Sequence, residues 1–322
     1  MRIVLTGGAG FIGSCLLRTL NDAGERDILI VDHIGSTEKW RNLENKQFDA
    51  YVHKDTFLNM LPDMGRADVV IHLGACSSTT EKDFDYLARN NVDYTKALWN
   101  YCAEKDVPLI YASSAATYGN ISGGGYSDET DIQCLRPLNG YGYSKQMFDL
   151  WSERQENRPP QYVGLKFFNV YGPNEYHKGE MSSVVLHAFQ ELNRGEAVHL
   201  FRSCHPDYQD GGQLRDFVYV KDVCSVILFF LRNPGLSGLY NVGTGRAQSF
   251  YELASAVCEA MGIATKIEYI DMPEHLRAKY QYHTRAEIQK LRDAGYDGEF
   301  LALREGVRDY VQNYLMKDLS VY

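Results

Sequence analysis

The segment Arg2-Ile3-Val4-Leu5-Thr6-Gly7-Gly8-Ala9-Gly10-Phe11-Ile12-Gly13 decides the fold. A short β-forming run enters glycines at 7, 10 and 13, and a helical pattern follows over 11–23. Between a strand and a helix, the first such glycine permits a tight turn. The second lets the backbone approach a pyrophosphate, and the third lets the helix pack close to the sheet. The helix N-terminus then faces the phosphates. Glycines also serve turns that hold no ligand. It is therefore the strand–turn–helix setting of Gly7, Gly10 and Gly13 that points to a dinucleotide.

Outward from this loop, strand-like runs at 2–6, 27–31, 68–72, 108–113 and 162–167 alternate with helical stretches at 11–23, 86–105 and 141–155. In the last of these, Phe148, Leu150 and Trp151 are expected to supply the buried side. Strands separated by helices imply parallel βαβ units, hence a doubly wound α/β sheet covered on both faces. Ligands of such sheets bind at the carboxyl ends of the strands. After Phe168 the rhythm changes: loops lengthen, strands are expected at 216–220 and 239–242, and helices at 250–261 and 303–315. This reads as a smaller substrate-binding lobe interleaved with the Rossmann domain. The expected division is 1–168 plus 216–248 for the dinucleotide, and 169–215 plus 249–322 for the substrate.

The 322 residues are 44% hydrophobic and 23% charged, which excludes a disordered chain. The net charge of −9, with no basic block, offers no electrostatic footprint for nucleic acid or an anionic membrane. No apolar run reaches membrane-spanning length, and the longest, around 223–231, is read as a buried helix segment. Met1 leads directly into the first strand, so no secretory leader is expected. Seven scattered cysteines without a Cys-x-x-Cys spacing fit a reducing cytoplasm better than a disulfide framework. No metal-ligand spacing and no Gly-x-Ser-x-Gly elbow is present.

The second strand closes on Val31-Asp32, where an acidic residue meets the adenosine ribose. Alone, Asp32 favours NAD, because a carboxylate repels a 2′-phosphate. Lys39 and Lys54 downstream either offset that charge or are solvated surface residues, and the residues by themselves leave the phosphate preference open. Tyr141-Gly142-Tyr143-Ser144-Lys145 contains Tyr-x-x-x-Lys, which places both side chains on one helix face. A lysine beside a phenol is expected to lower its pKa toward working pH, so that it exchanges a proton with an alcohol while a nicotinamide carries the hydride. The spacing alone is common on exposed helices. Here it follows Tyr111-Ala112-Ser113-Ser114-Ala115-Ala116-Thr117-Tyr118-Gly119, at the end of what reads as the fourth strand, where Ser114 is placed to hydrogen-bond a reacting hydroxyl.

Glycine loop, strand-end serines and Tyr-x-x-x-Lys, in that order, resemble the extended short-chain dehydrogenase/reductase superfamily. Further segments narrow the resemblance. They are Gly74-Ala75-Cys76-Ser77-Ser78-Thr79-Thr80, Pro137-Leu138-Asn139, Phe168-Asn169-Val170-Tyr171-Gly172-Pro173 with His177-Lys178-Gly179, Arg215-Asp216-Phe217-Val218-Tyr219-Val220 and Asn241-Val242-Gly243-Thr244-Gly245-Arg246. Together with Gly295-Tyr296 and Glu305-Gly306-Val307 they make the chain similar, nearly end to end, to the ADP-L-glycero-D-manno-heptose 6-epimerase family. Gly-Ala-Cys-Ser-Ser-Thr-Thr and His-Lys-Gly are the more specific motifs.

The resemblance implies tightly held NADP, with NAD as the alternative, contacted by Phe11, Ile12, Asp32, His33, Lys39, Lys54, Leu73, Gly74, Ala75, Cys76, Ser77, Asn90, Lys145, Val170 and Lys178. It implies Tyr141 and Lys178 as the two acid/base groups, assisted by Lys145 and Ser114. Asn169, Glu180, His187, Phe201, Arg202, Ser203, Cys204, Arg215 and Tyr280 would hold an ADP-sugar. The implied reaction inverts C6″ of ADP-D-glycero-D-manno-heptose through a transient ketone, for lipopolysaccharide core biosynthesis, in a cytoplasmic homo-oligomer, a pentamer by family likeness. The chain departs from the family pattern at His33 (Asn expected), Leu73 (Glu expected), Glu180 (a small polar residue expected) and Arg202-Ser203-Cys204 (Glu-Gly-Ser expected), and the loop 205–213 is longer than expected.

Blander readings stand beside these: Lys178 as a surface lysine, Arg215 before a strand and paired with a carboxylate, Tyr280 as packing, His187 as a structural helix residue. Rival functions are another nucleotide-sugar epimerase or dehydratase, such as a UDP-hexose 4-epimerase, and a non-catalytic dinucleotide sensor. A dehydratase is expected to carry an acidic pair after the strand-end serine, where this chain has Ala115-Ala116-Thr117. A sensor is expected to lose Tyr141 or Lys145.

Overall fold

The computed structural model describes residues 1–120, 125–277 and 280–322. The chain runs through β1 (Ile3–Thr6), α1 (Phe11–Asp22), β2 (Ile28–Asp32), β3 (Ala50–His53), α2 (Lys54–Met60) and β4 (Val69–His72). A helical run then begins with α3 (Phe84–Leu87), passes through a π-helical turn at Ala88–Asp93, and continues as α4 (Tyr94–Lys105). β5 (Leu109–Ser114), β6 (Gly125–Tyr126), α5 (Gly140–Glu153), β7 (Tyr162–Phe167) and β8 (Asn169–Tyr171) follow. Next come α6 (Val184–Asn193), β9 (Val198–Phe201), β10 (Leu214–Tyr219), α7 (Val220–Arg232), β11 (Gly238–Val242), β12 (Ala247–Ser249), α8 (Phe250–Met261), β13 (Ile267–Ile270) and β14 (Arg285–Ala286).

Seven strands form one parallel sheet in the order β11-β7-β5-β4-β1-β2-β3. This is the doubly wound class expected from the sequence. From β1 the chain steps outward through β2 and β3, then returns to place β4 on the other side of β1. The direction of winding therefore reverses between β1 and β4, which opens a crevice at their carboxyl ends. β1 and β4 are buried at every position, the continuous apolar pattern of strands covered on both faces.

Smaller sheets build the lobe: β12-β10-β8, and the pair β13-β9. One apolar cluster joins them to the main sheet, since Ile3, Leu5 and Leu16 share it with Leu186, Val198, Leu253 and Tyr310. The opposite face of the sheet has its own cluster around Trp99, Phe148 and Leu109. The apolar stretch near 223–231 is α7, which buries Val223, Val226, Ile227 and Phe230. Among the described residues no helix is long and apolar enough to cross a membrane.

Four local expectations are corrected. The edge strand β3 went unread, because Ala50–His53 is only half covered and lacks an alternating pattern. It makes β5 the fifth strand rather than the fourth. The helix expected over 86–105 is interrupted by the π turn. On α5, Phe148 is buried but Leu150 and Trp151 only partly so; most of the hidden face is polar, with Ser144, Lys145, Gln146, Asp149 and Ser152. Arg215 lies inside β10, not before it.

Candidate active site

At the end of β1 the glycine turn closes tightly. A Cβ on Gly13 would stand 2.1 Å from the Gly7 carbonyl oxygen, so only glycine lets α1 come this near. α1 starts at Gly10 with no side-chain cap and no acidic residue in its first turn. Its free N–H groups and positive dipole end thus face the crevice, the arrangement that favours an anion.

A cavity of ≈ 330 Å³ runs from this turn to the ends of β5 and β7. Gly7, Gly10, Phe11, Ile12, Gly13, Asp32, Lys39, Leu73, Gly74, Ala75, Ser77 and Val170 line it, and so do Ser114, Tyr141, Lys145 and Lys178. A second cavity of ≈ 180 Å³ shares Gly7, Asp32, Lys39, Gly74 and Ala75 with the first and adds His33, Lys54, Cys76 and Asn90. The structure therefore brings every cofactor and acid/base candidate onto two joined cavities.

The end of the joined cavities near β2 is organised by Asp32. Its carboxylate accepts the Ala9 N–H at 2.8 Å and the Lys39 ammonium at 2.5 Å, and Lys39 also donates to the His33 carbonyl at 3.1 Å. Lys54 donates to the side-chain oxygen of Asn90, and the His33 and His53 rings share a hydrogen bond of 2.8 Å. The π turn presents Asn90 to the cavity and turns Asn91 inward. Asn91 pairs with both backbone groups of Cys76, at 2.8 and 3.0 Å, and with the Ser144 hydroxyl at 2.9 Å. Asn91 ties the Cys76 loop to α5, and π turns of this kind are frequent at functional sites.

At the other end, Ser114 and the Tyr141 phenol line the cavity together, and the Ser114 hydroxyl accepts the Ala116 N–H at 3.1 Å. Burial holds that phenol above its ordinary pKa, and the polar Ser114 side chain opposes the rise. This corrects the expectation of a lysine-lowered phenol. Lys145 is 4% exposed, donates to the Ala112 carbonyl at 2.8 Å, and is itself pushed down to about 8 by burial, against the opposing charge of Asp149.

Lys178 belongs to a 3-10 turn, Tyr176–Met181, with its ammonium 5.2 Å from the Phe11 ring centroid. Burial lowers its pKa, opposed by the Glu175 carboxylate, which is fixed by the Ser183 N–H and hydroxyl at 2.6 Å each. It is a cavity residue, not a surface lysine. His177 was missed in the sequence. It lines the same cavity, lies 3.2 Å from the Asn42 amide, and is lowered to about 4 by burial and by Lys39 and Lys178. Its place beside Lys178 in the His-Lys-Gly motif was the available signal.

The substrate candidates lie outside these cavities, in two groups. Asn169 and Glu180 are exposed, and His187 on α6 reaches Ser182 at 3.2 Å. The other group surrounds the end of β9. The Phe201 and Tyr280 rings meet at 6.3 Å, and the Arg215 guanidinium lies 5.2 Å from the Tyr280 centroid and 5.6 Å from that of Phe250. Among the described residues no carboxylate lies within ion-pair distance of Arg215, so the expected alternative of a salt-bridged arginine is not found. Arg202 faces Asp271 at 3.4 Å, the Ser203 N–H donates to the Asp210 carboxylate at 2.8 Å, and the Cys204 N–H donates to the Tyr282 hydroxyl at 3.1 Å. Tyr282 packs its ring against those of His205 and Tyr208 in the long loop, the three rings lying 5.1–5.4 Å apart.

The sequence pattern of the NAD dependent epimerase/dehydratase family matches residues 3–243. An ADP-L-glycero-D-manno-heptose-6-epimerase of Nitratidesulfovibrio vulgaris is 52% identical over 315 residues, 97% of each chain. The chain belongs to this epimerase family. Among solved structures, the Helicobacter pylori ADP-L-glycero-D-manno-heptose-6-epimerase superposes with a TM-score of 0.80 at 29% identity, covering 97% of this chain and 95% of that one. A Thermus thermophilus UDP-glucose 4-epimerase in complex with NAD gives 0.78 at 28% identity, covering 97% and 98%.

Proposed function

We propose that the protein interconverts ADP-D-glycero-D-manno-heptose and ADP-L-glycero-D-manno-heptose by inverting C6″, using a bound nicotinamide dinucleotide, NADP in preference to NAD. The observation that carries this reading is a single one. Tyr141 on α5 and Lys178 on a separate turn line one cavity whose far end is the uncapped, glycine-built N-terminus of α1. The 52%-identical ADP-L-glycero-D-manno-heptose-6-epimerase supports the sugar, and the UDP-glucose 4-epimerase solved with NAD supports the cofactor class.

The residues present fit such a cofactor. The α1 N-terminus suits its pyrophosphate, Asp32 suits a ribose hydroxyl, and Lys39 and Lys54 suit a 2′-phosphate. When bound, the nicotinamide supplies reversible hydride acceptance. Tyr141 and Lys178 then divide the proton work. One withdraws the C6″ hydroxyl proton as the 6″-ketone forms, and the other returns a proton once the ketone presents its opposite face. Two groups are needed because the epimeric hydroxyls point to opposite sides. Ser114, on the same cavity as Tyr141, orients the reacting oxygen, and acid–base groups such as Tyr141 and Lys178 contribute roughly 10²–10⁴-fold each. Around the Phe201 strand end, the Arg215 fork and the rings of Phe201 and Tyr280 offer a diphosphate and a base their partners. The same reading expects a cytoplasmic homo-oligomer, checked by sedimentation.

The test is direct assay of ADP-D-glycero-D-manno-heptose, with product resolved by chromatography or NMR, and UDP- and GDP-sugars as controls. Conversion to the L-glycero epimer is expected. Turnover of a UDP-hexose without turnover of the ADP-heptose would replace this reading with the 4-epimerase one.

A further inference from the structure

Beneath the acid/base pair lies an ion pair that the chemistry above leaves unused. Lys166 of β7 and Asp149 of α5 stand 3.2 Å apart, with side-chain exposures of 2% and 1%. Burying two charges is costly, and an apolar pair of similar volume often serves stability as well or better. The bonds around the pair point to another use. Asp149 accepts the Ser113 hydroxyl at 2.7 Å and the Tyr111 hydroxyl at 3.3 Å. Lys166 donates to the Thr117 hydroxyl at 2.8 Å, and Thr117 donates in turn to the Ser114 carbonyl at 2.8 Å.

Asp149 follows Lys145 by four residues and Tyr141 by eight, on the same face of α5. The pair therefore ties the helix that bears Tyr141 and Lys145 to the strand end that bears Ser114. The approach is close: a Cβ on Gly142 would stand 2.5 Å from the Ala116 carbonyl oxygen. The charged and titratable groups around Lys145 are Asp149 and Tyr141 on its own helix, His72 at the end of β4, and Cys76 in the loop beyond. Lys166 stands behind Asp149 on β7.

We propose that Asp149 and Lys166 are positioning residues for the epimerisation: they hold Ser114 against Tyr141 and set the charge that Lys145 experiences. This rests on the reading of Tyr141 and Lys145 as working groups. Its electrostatic half has a definite sign. The Asp149 carboxylate favours the protonated lysine, and Lys166 partly cancels it.

The experiment pairs turnover with a measurement that needs no substrate. Lysine side chains carrying a ¹³C label are titrated by NMR in the full-length protein, with the Lys145 signal identified by its loss in Lys145→Met. Asp149→Asn is expected to move the Lys145 midpoint down by at least half a pH unit, and Lys166→Met to move it up. On ADP-D-glycero-D-manno-heptose both variants are expected to lose at least tenfold in kcat, with KM and bound cofactor near wild type, and Lys166→Arg to recover most of the loss. Unmoved Lys145 midpoints, or variants that melt earlier yet keep wild-type kcat, would reduce the pair to a structural brace and overturn the proposal. If Asp149→Asn fails to fold, Lys166→Met and Lys166→Arg carry the same comparison. If the wild type itself leaves ADP-heptose unchanged, the functional reading fails while the NMR titration still decides the ion pair.

Discussion

The Lys39 ammonium stands 2.5 Å from a carboxylate oxygen of Asp32, at the mouth shared by the two cavities. Asp32 alone would repel a 2′-phosphate, but paired with Lys39 it presents little net charge. Lys54, in the second cavity with His33, adds a further positive group. NADP is therefore the expected cofactor of the purified protein, read by mass analysis of the released dinucleotide. Lys39→Met should cut the preference for NADP over NAD roughly tenfold to hundredfold, the worth of one charge-assisted hydrogen bond. Stoichiometric NAD in the wild type would mean that Lys39 serves only Asp32.

Removing the Tyr141 hydroxyl isolates its proton transfer. Tyr141→Phe keeps the ring and its packing but removes the hydroxyl that shares the cavity with Ser114. Turnover should fall by about 10²-fold or more, with cofactor content and melting temperature close to wild type. Near-normal epimerisation by the folded variant would remove Tyr141 from the chemistry.

How much of this was legible beforehand depends on the kind of feature. The glycine turn and Tyr-x-x-x-Lys are local: their spacing fixes backbone geometry within a few residues, so the sequence identifies both ends of the main cavity. Asn91 and His177 were hidden, because their roles come from a π turn and from a contact with Asn42 far away in the sequence, neither of which leaves a periodic mark. β3 escaped for a related reason, as an edge strand has no buried face to write an alternation into the sequence. The phenol's pKa was read with the wrong sign because spacing shows the lysine but not the desolvation.

His72 gives a pH dependence of stability. It is buried between Thr6 at 2.6 Å and Thr95 at 2.9 Å, and burial lowers its pKa from 6.5 to about 3. The unfolded chain takes up a proton below pH 6.5 that the folded one refuses until pH 3. Stability should therefore fall as pH drops through that window, by about 2 kcal/mol between pH 6.5 and 5 from this group. Asp222, pushed up to about 6 by burial, works in the opposite direction. The difference in urea midpoint against pH between wild type and His72→Gln separates the two: the variant should show the shallower loss on acidification, and equal slopes would mean that His72 titrates normally.

Lys178 carries the most exposed prediction, because only a turn holds it in place. Its ammonium lies over the Phe11 ring, burial lowers its pKa, and Glu175 restrains that fall. A lysine with a lowered pKa exchanges protons nearer to neutrality than one in water, which is what a second acid/base group requires. Lys178→Met keeps the apolar stem over Phe11 and removes the proton. Epimerisation should drop by about 10²-fold or more, with kcat losing more than KM gains, since the missing interaction belongs to the transition state. Hydride exchange on a substrate that needs only one proton transfer should survive better than full inversion, measured with an aldehyde and alcohol pair at the reacting carbon. If both reactions keep wild-type rates, the second proton must come from elsewhere in the cavity, and His177, the neighbour of Lys178 on the same turn, becomes the group to substitute next.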